Sequence, residues 1–400
     1  MRQLYTILRD LGRSSTVEPF VGRAAVFALG PPPAAEPRID VAELDPNELN
    51  DLARDPQVHA IAPDMPVSLI HPVSDEDAGA GVGDDSGGAT WGVTAVGAVD
   101  SSRTGAGVRV AVLDTGIDRD HPAFEGAHIV ERDFSGDGDG DPQGHGTHCA
   151  GTIFGRDVEG TRIGVAPGVS EVLIAKVLGD DGSGDSDMLF QGMQWAAQQG
   201  AQVLSMSLGF DFPGMVDRMT QAGWPADLAT SRALEAYRGN LRMFDALMLL
   251  LQRQEVFTGG AVVAAASGNE SKRNVHKDYE IAVSLPAAAE GVLSTGALGD
   301  SDQGLTIAPF SNTLPQLAAP GVGVLSARSG GGLVSFNGTS MATPHVAGLA
   351  ALWWEEVADS ALPARASVVA SRLLANADSN AFAADVDVAS RGVGLARAPR

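Results

Sequence analysis

Lysine is almost absent: Lys176, Lys272 and Lys277 are the only ones, and with the arginines they make 27 bases against 50 acids, a formal charge of −23. A chain of that sign repels phosphate backbones, which argues against a nucleic-acid partner. Cysteine is absent but for Cys149, so no disulfide can form within the chain. No apolar run approaches the ~20 residues of a membrane span, so no membrane partner is expected. The nearest run, Ala342 to Trp354, is broken by Pro344 and His345. The opening Met1-Arg2-Gln3-Leu4-Tyr5 has no apolar centre and no small-residue cleavage site, so it is not expected to act as a secretory signal. The expected location is the cytoplasm, or the exterior by way of a longer precursor. Charged residues are only 19 % against 44 % hydrophobic, which excludes a wholly disordered protein and supports a large core.

What is present falls into two unequal parts. Four hundred residues leave room for two domains. Residues 72–90 are rich in Asp, Ser, Gly and Ala and have no hydrophobic period, so they read as a flexible linker. Before it, Tyr5–Leu8, Ala24–Leu29, Ile39–Leu44 and Val58–Ile61 read as strands. Asp45, Pro46 and Glu48 spell a helix start. The result is a small α+β unit. After the linker, short apolar runs alternate with helical stretches. Val108–Leu113, Val172–Val177, Val203–Leu208, Ala261–Ala266, Val292–Ala297 and Leu317–Ala319 read as buried strands, and Met188–Gln199 as a helix. That rhythm predicts an α/β domain around a mostly parallel sheet.

Three signals stand at strand or helix ends. Val112-Leu113-Asp114-Thr115-Gly116 puts an acid just beyond a strand. Gly144-His145-Gly146-Thr147-His148 offers a base, and Asn337-Gly338-Thr339-Ser340-Met341-Ala342-Thr343-Pro344-His345 opens a helix with a serine. Acyl transfer by a hydroxyl needs a base to take its proton and an acid to orient that base. Asp114, His145 and Ser340 supply all three. A fourth signal, Ala264-Ala265-Ala266-Ser267-Gly268-Asn269, ends in an amide able to donate to a developing oxyanion. His148, His345 and Cys149 read as structural. Asp114-Thr115-Gly116 is also an aspartic-protease motif, but its partner Asp85-Ser86-Gly87 has no strand leading into it. A Gly-x-Ser-x-Gly elbow is absent, which disfavours the α/β-hydrolases.

The four motifs, in this order, resemble those of the subtilisin-like serine proteases, the subtilases, over about residues 91–398. The resemblance implies a three-layer catalytic domain over 91–400 and a serine endopeptidase working through an acyl-enzyme, with protein or peptide substrates and no cofactor in the chemistry. Ser340 would be the nucleophile, His145 the general acid/base, Asp114 its orienting carboxylate and Asn269 the oxyanion donor. Ser207-Leu208-Gly209 and Gly182-Ser183-Gly184 would be the two edges that pair with substrate backbone. Ala266-Ser267-Gly268 would line a pocket with Ser284 near its floor, and its uncharged lining implies an uncharged substrate side chain. Residues 1–71 resemble a small ferredoxin-like propeptide that acts as the enzyme's own inhibitor, although 11–38 fit that pattern poorly. Self-cleavage is expected near Ile70-His71. Two rival readings are a dedicated peptide-maturation protease and a catalytically silent scaffold; the intact triad opposes the scaffold.

Asp137, Asp139 and Asp141 alternate with glycine and read as a solvated acidic loop or as a structural calcium site, though not an EF-hand, because Pro142 and His148 stand where glycine and glutamate belong. After His121-Pro122 the family pattern often has a calcium-binding aspartate; this chain has Ala123. Asp180, Asp181, Asp185 and Asp187 flank the Gly182–Gly184 edge and read either as a solvated rim or as a feature that favours basic substrate residues. Between Gly209 and Asn269 lies about twice the chain that the resemblance requires. Leu228, Leu234, Tyr237, Leu241, Phe244, Leu247 and Leu251 recur there at helical steps. A helical insertion at about 210–258 is expected, divided at Gly239, as a wall beside the cleft or a helix pair packed away from it.

Overall fold

A computed structural model describes residues 2–12, 36–78 and 88–400. The strand expected at 24–29 lies outside these residues. The N-terminal unit contains β1 (Gln3–Asp10), β2 (Pro37–Leu44), α1 (Pro46–Leu52) and β3 (Val58–Pro63). β1 pairs antiparallel with both other strands, in the order β2-β1-β3. The helix start forms as the sequence dictates. Asp45 accepts the Asn47 and Glu48 N–H groups, and Glu48 takes the Asp45 N–H in return. A second helix, which a ferredoxin-like fold would place between β1 and β2, would fall in the undescribed stretch 13–35.

After β3 the chain leaves this sheet. β4 (Pro66–Leu69) runs elsewhere, and α2 (Asp75–Ala78) follows. The start of the expected linker is therefore ordered. Val73 exchanges hydrogen bonds with Asn337, and Ser74 ties down Asp77. Composition alone hides these long-range partners.

The larger domain runs through α3 (Trp91–Ala95), β5 (Arg109–Asp114), β6 (His128–Asp133), α4 (His145–Phe154), β7 (Glu171–Lys176), β8 (Ser183–Asp185) and α5 (Ser186–Gln198). It continues through β9 (Val203–Met206), β10 (Leu208–Phe210), α6 (Phe212–Gln221), α7 (Ala226–Thr258), β11 (Val262–Ala266), β12 (Val292–Gly299) and β13 (Thr306–Ile307). It closes with β14 (Leu317–Pro320), β15 (Val324–Ala327), β16 (Leu333–Phe336), α8 (Thr339–Ala358), α9 (Ala366–Ala375) and α10 (Val388–Arg391). The central sheet has the order β13-β12-β11-β9-β5-β7-β6, with β14 also beside β12. Its pairings are parallel except that of β13.

Alternate residues of each strand enter different cores. Val110, Val112 and Ala264 face the layer holding α4 and α8. Ala111, Leu113 and Val263 face the layer holding α5 and α7. Burial on both faces is why these strands read as unbroken apolar runs. The expected strand 203–208 is two strands: the chain breaks at Ser207, and β10 joins a separate three-stranded antiparallel sheet, β10-β4-β8.

The insertion contains a helix the apolar spacing missed, α6, although Asp211 caps it through the Gly214 N–H and Pro213 sits in its first turn. Gly239 does not divide α7, which is continuous over 33 residues. Leu228 and Leu234 do not face inward either. They are 53 % and 48 % exposed, whereas Ala229, Ala233, Ala236 and Asn240 are fully buried. Mid-helix glycine costs about 1 kcal/mol relative to alanine. Here it permits contact: a Cβ at Gly239 would lie 3.0 Å from Pro63 Cδ. The second half of α7, with Met243, Phe244, Leu247 and Leu251, packs into the core beside the central sheet.

Candidate active site

Asp114 ends β5, His145 opens α4, and Ser340 lies in the first turn of α8. Carboxyl ends of parallel strands are where open α/β sheets gather their sites. His145 Nδ1 lies 2.8 Å from Asp114 Oδ1, and both side chains are almost wholly buried. Burial lowers the basicity of His145, but the Asp114 carboxylate outweighs it and holds the imidazole well above its ordinary 6.5. Cys149 lies behind the pair, its Sγ 3.7 Å from His145 Nδ1 and 3.5 Å from the Ser340 carbonyl oxygen. Burial pushes the Cys149 thiol up, so it stays protonated. His148 is held neutral by burial, its pKa lowered to about 3, and its Nε2 faces the Val324 carbonyl. His345 is lowered by burial to about 4, and its Nδ1 faces the Met341 carbonyl.

The acidic loop helps to order this pair. Asp141 is buried, and both its oxygens are occupied. They accept from Thr115 Oγ1, the Gly144 N–H, the Thr147 N–H and Thr147 Oγ1. Asp137 accepts the Asp180 N–H instead, and Asp139 is exposed near Arg119. The calcium candidates therefore do not converge. Among the described residues the group of three able to share a metal is Asp114, His145 and Cys149. Lys176, fully buried at the end of β7, secures the loop through Gly140 O and Asp180 Oδ1. Asp180 is thus neutralised, and Asp181 is taken up by Ser183.

Asn269 follows β11. Its Oδ1 accepts both the Thr339 N–H and Thr339 Oγ1 at 2.9 Å, which turns its NH₂ toward the cleft. Thr339 thereby positions the amide, a role that its place in the serine motif does not reveal. Gly268 must be glycine: its φ is +109°, and a Cβ would collide with Asn312 and Glu270. Ala266 and Ser267 are buried, and Ser284 bonds to the Ser267 carbonyl. Beyond it, the Leu285 N–H donates to the hydroxyl of Tyr237 from α7. Glu270, whose carboxylate accepts from Asn312 Nδ2, lies beside Gly268.

The cleft is occupied by the chain itself. β4 lies antiparallel between β10 and β8. Ser68 faces Gly209, Leu69 faces Leu208, and Val67 faces Gly184. Leu69 N–H donates to Gly182 O at 2.8 Å. Ser183 pairs with Ser68. Ile70 packs where Gly209 has no side chain. Ser340 Oγ donates to the Ile70 carbonyl at 3.1 Å and, at 3.4 Å, to Ser207 O. The Asn269 NH₂ reaches the next carbonyl, that of His71, at 3.1 Å. Two successive carbonyls thus take one donor each. Pro72 has no N–H, so Val73 supplies the bond to Asn337 O. His145 Nε2 is left without a protein partner among the described residues.

Residues 105–394 match the model of the subtilase family, peptidase S8. The chain is 36 % identical over 261 residues to an intracellular serine protease of Paenibacillus polymyxa, an alignment spanning 64 % of this chain and 69 % of that one. It is 35 % identical over 317 residues to alkaline elastase YaB of a Bacillus strain, spanning 78 % and 67 %. M-protease of Shouchella clausii is 33 % identical over 316 residues, again 78 % and 67 %. No helix among the described residues is long and apolar enough to cross a membrane. A family match over most of the chain, joined to relatives that are themselves named proteases, makes this protein a member of the subtilase family of serine proteases.

Proposed function

We propose that the protein is a serine endopeptidase that cleaves peptide bonds through an acyl-enzyme and is made as a proenzyme. Ser340 Oγ attacks the carbonyl carbon of a peptide held between residues 182–184 and 207–209, and its proton passes to His145 Nε2. Asp114 orients the imidazole and stabilises the imidazolium. The oxyanion is met by the Asn269 NH₂, worth ~2.7–4 kcal/mol for one such donor. His145 then protonates the leaving nitrogen, and water, deprotonated by the same imidazole, releases the acid. No metal or cofactor enters any of these steps. Residues 1–71 would be the propeptide and 70–71 the bond cut in maturation.

One observation carries the reading: the Ile70 carbonyl lies 3.1 Å from Ser340 Oγ, at the end of a strand paired on both sides in the cleft. In this pose Asn269 holds the His71 carbonyl rather than that of Ile70. Reaction at 70–71 would therefore begin with a shift that brings one carbonyl to both donors. A fluorophosphonate probe tests the assignment. Wild-type processed enzyme should be labelled on Ser340, and Ser340→Ala should not. Undiminished labelling of the alanine variant would place the nucleophile elsewhere.

A further inference from the structure

We infer that the loop 271–281, which leads away from Asn269, is a subsite for acidic substrate residues on the far side of the cut bond, where the leaving amine departs. The inference rests on the protease reading of Ser340 and on 70–71 as the bond cut, and deepens both by naming a substrate class. It starts from the lysines. Lys176 is buried and bonded to Gly140 O and Asp180. The other two, Lys272 and Lys277, are exposed and stand on this one loop. In a chain of formal charge −23, both exposed lysines thus lie within eight residues of Asn269. The loop's own charges are spent on each other: Arg273 holds Glu280 at 2.7 Å, and Asp278 lies 3.8 Å from His276. Neither lysine has an ion-pair partner among the described residues.

The loop is pinned at its base. The Lys272 N–H donates to Tyr279 O at 2.8 Å, and the Ile281 N–H to Ser271 Oγ at 3.0 Å. The Arg273 guanidinium reaches the Ser311 carbonyl. What its tip meets is visible in the chain's own segment. Asp75 and Asp77 are the fifth and seventh residues after Ile70. Asp75 accepts from Asn337 Nδ2 at 2.9 Å, and Asp77 from Asn274 Nδ2 at 3.1 Å. Glu76, between them, is exposed. An amide donates to a carboxylate and to a neutral acceptor alike, so selection by charge falls to Lys272 and Lys277. They stand two residues before Asn274 and three after it. Across the cut bond, the rim of the other half of the cleft carries Asp181, Asp185 and Asp187. The two halves thus differ in sign: acids are attracted on the leaving side and repelled on the other.

Two internally quenched peptides test the subsite. One copies residues 66–78; the other carries Asp75→Asn, Glu76→Gln and Asp77→Asn. Full-length protein is first left to process itself, and its labelling by a fluorophosphonate is recorded. At about 10 mM salt, where charges reach ~30 Å, kcat/KM should be roughly fivefold higher for the acidic peptide. At about 1 M salt, where they reach ~3 Å, the ratio of the two should fall toward one. Lys272→Gln combined with Lys277→Gln should bring the low-salt ratio close to one as well. Equal rates on the two peptides at low salt, a ratio that survives the paired lysine replacement, or a labelled enzyme that cuts neither peptide would overturn the subsite and leave the protease reading standing. A protein that cuts neither peptide and takes no label would overturn the protease reading, and this inference with it.

Discussion

At Asn269 a single side chain is tied to the helix start at one end and turned to the cleft segment at the other. Thr339 takes its oxygen, and its NH₂ has nowhere to point but the cleft. Such a donor acts mainly on charge that appears in the transition state. Asn269→Ala should therefore lower kcat by ~10²–10³ with little change in KM. Steady-state kinetics on a peptide substrate reads the split directly; a loss carried mostly by KM would assign the amide to ground-state binding. The four candidate residues stand out in the sequence because each sits in a local motif with distinctive neighbours. What supports them was less so. Asp141 read as part of a solvated acidic loop or a calcium site, because alternating Asp and Gly describes both. Its four donors come from residues 115, 144 and 147, and no spacing rule shows that they converge. Glu270 escaped notice for a similar reason, since its contact with Asn312 spans separate loops.

Among the elements, strands buried on both faces and the capped start of α1 were plain in the sequence, because local chemistry alone specifies them. The break at Ser207 was not, since two sheets compete there for one apolar run. Nor was the inward face of α7, where alanine packs tightly against a strand that the sequence cannot bring near. The N-terminus of α5 is a second meeting point of the two parts. Asp64 accepts from Ser186 Oγ and the Asp187 N–H there. Burial, then the charge of Asp185 and that of Asp187, raises its pKa to about 6. Asp185 and Asp187 are raised too, chiefly by burial, with Arg218 opposing the shift at Asp185. The acids expected to attract a basic substrate residue thus face another acid. A group whose docked pKa is raised favours docking while protonated. That contribution is complete below the free value of 3.8 and is lost as pH rises through about 6. The N-terminal domain should therefore leave faster at pH 7.5 than at pH 5. Asp64→Asn should lengthen the lag before full activity at pH 7.5 and flatten its pH dependence; an unaltered profile would remove Asp64 from the account.

For the whole molecule, the two parts are less separate than composition suggested. Leu8, Ile39 and Ala62 of the N-terminal unit share one core with α5, α7 and the central sheet, and the segment joining them runs through the cleft. If residues 70–71 are the bond cut in maturation, this segment is the protein's own first substrate. Mass spectrometry of intact full-length protein tests it most directly, with the wild type and Ser340→Ala each purified alone. The wild type should yield a fragment ending at Ile70 and a chain beginning at His71, while Ser340→Ala should remain whole. A Ser340→Ala chain cut at the same bond, or a wild type that becomes active without cutting there, would contradict the account.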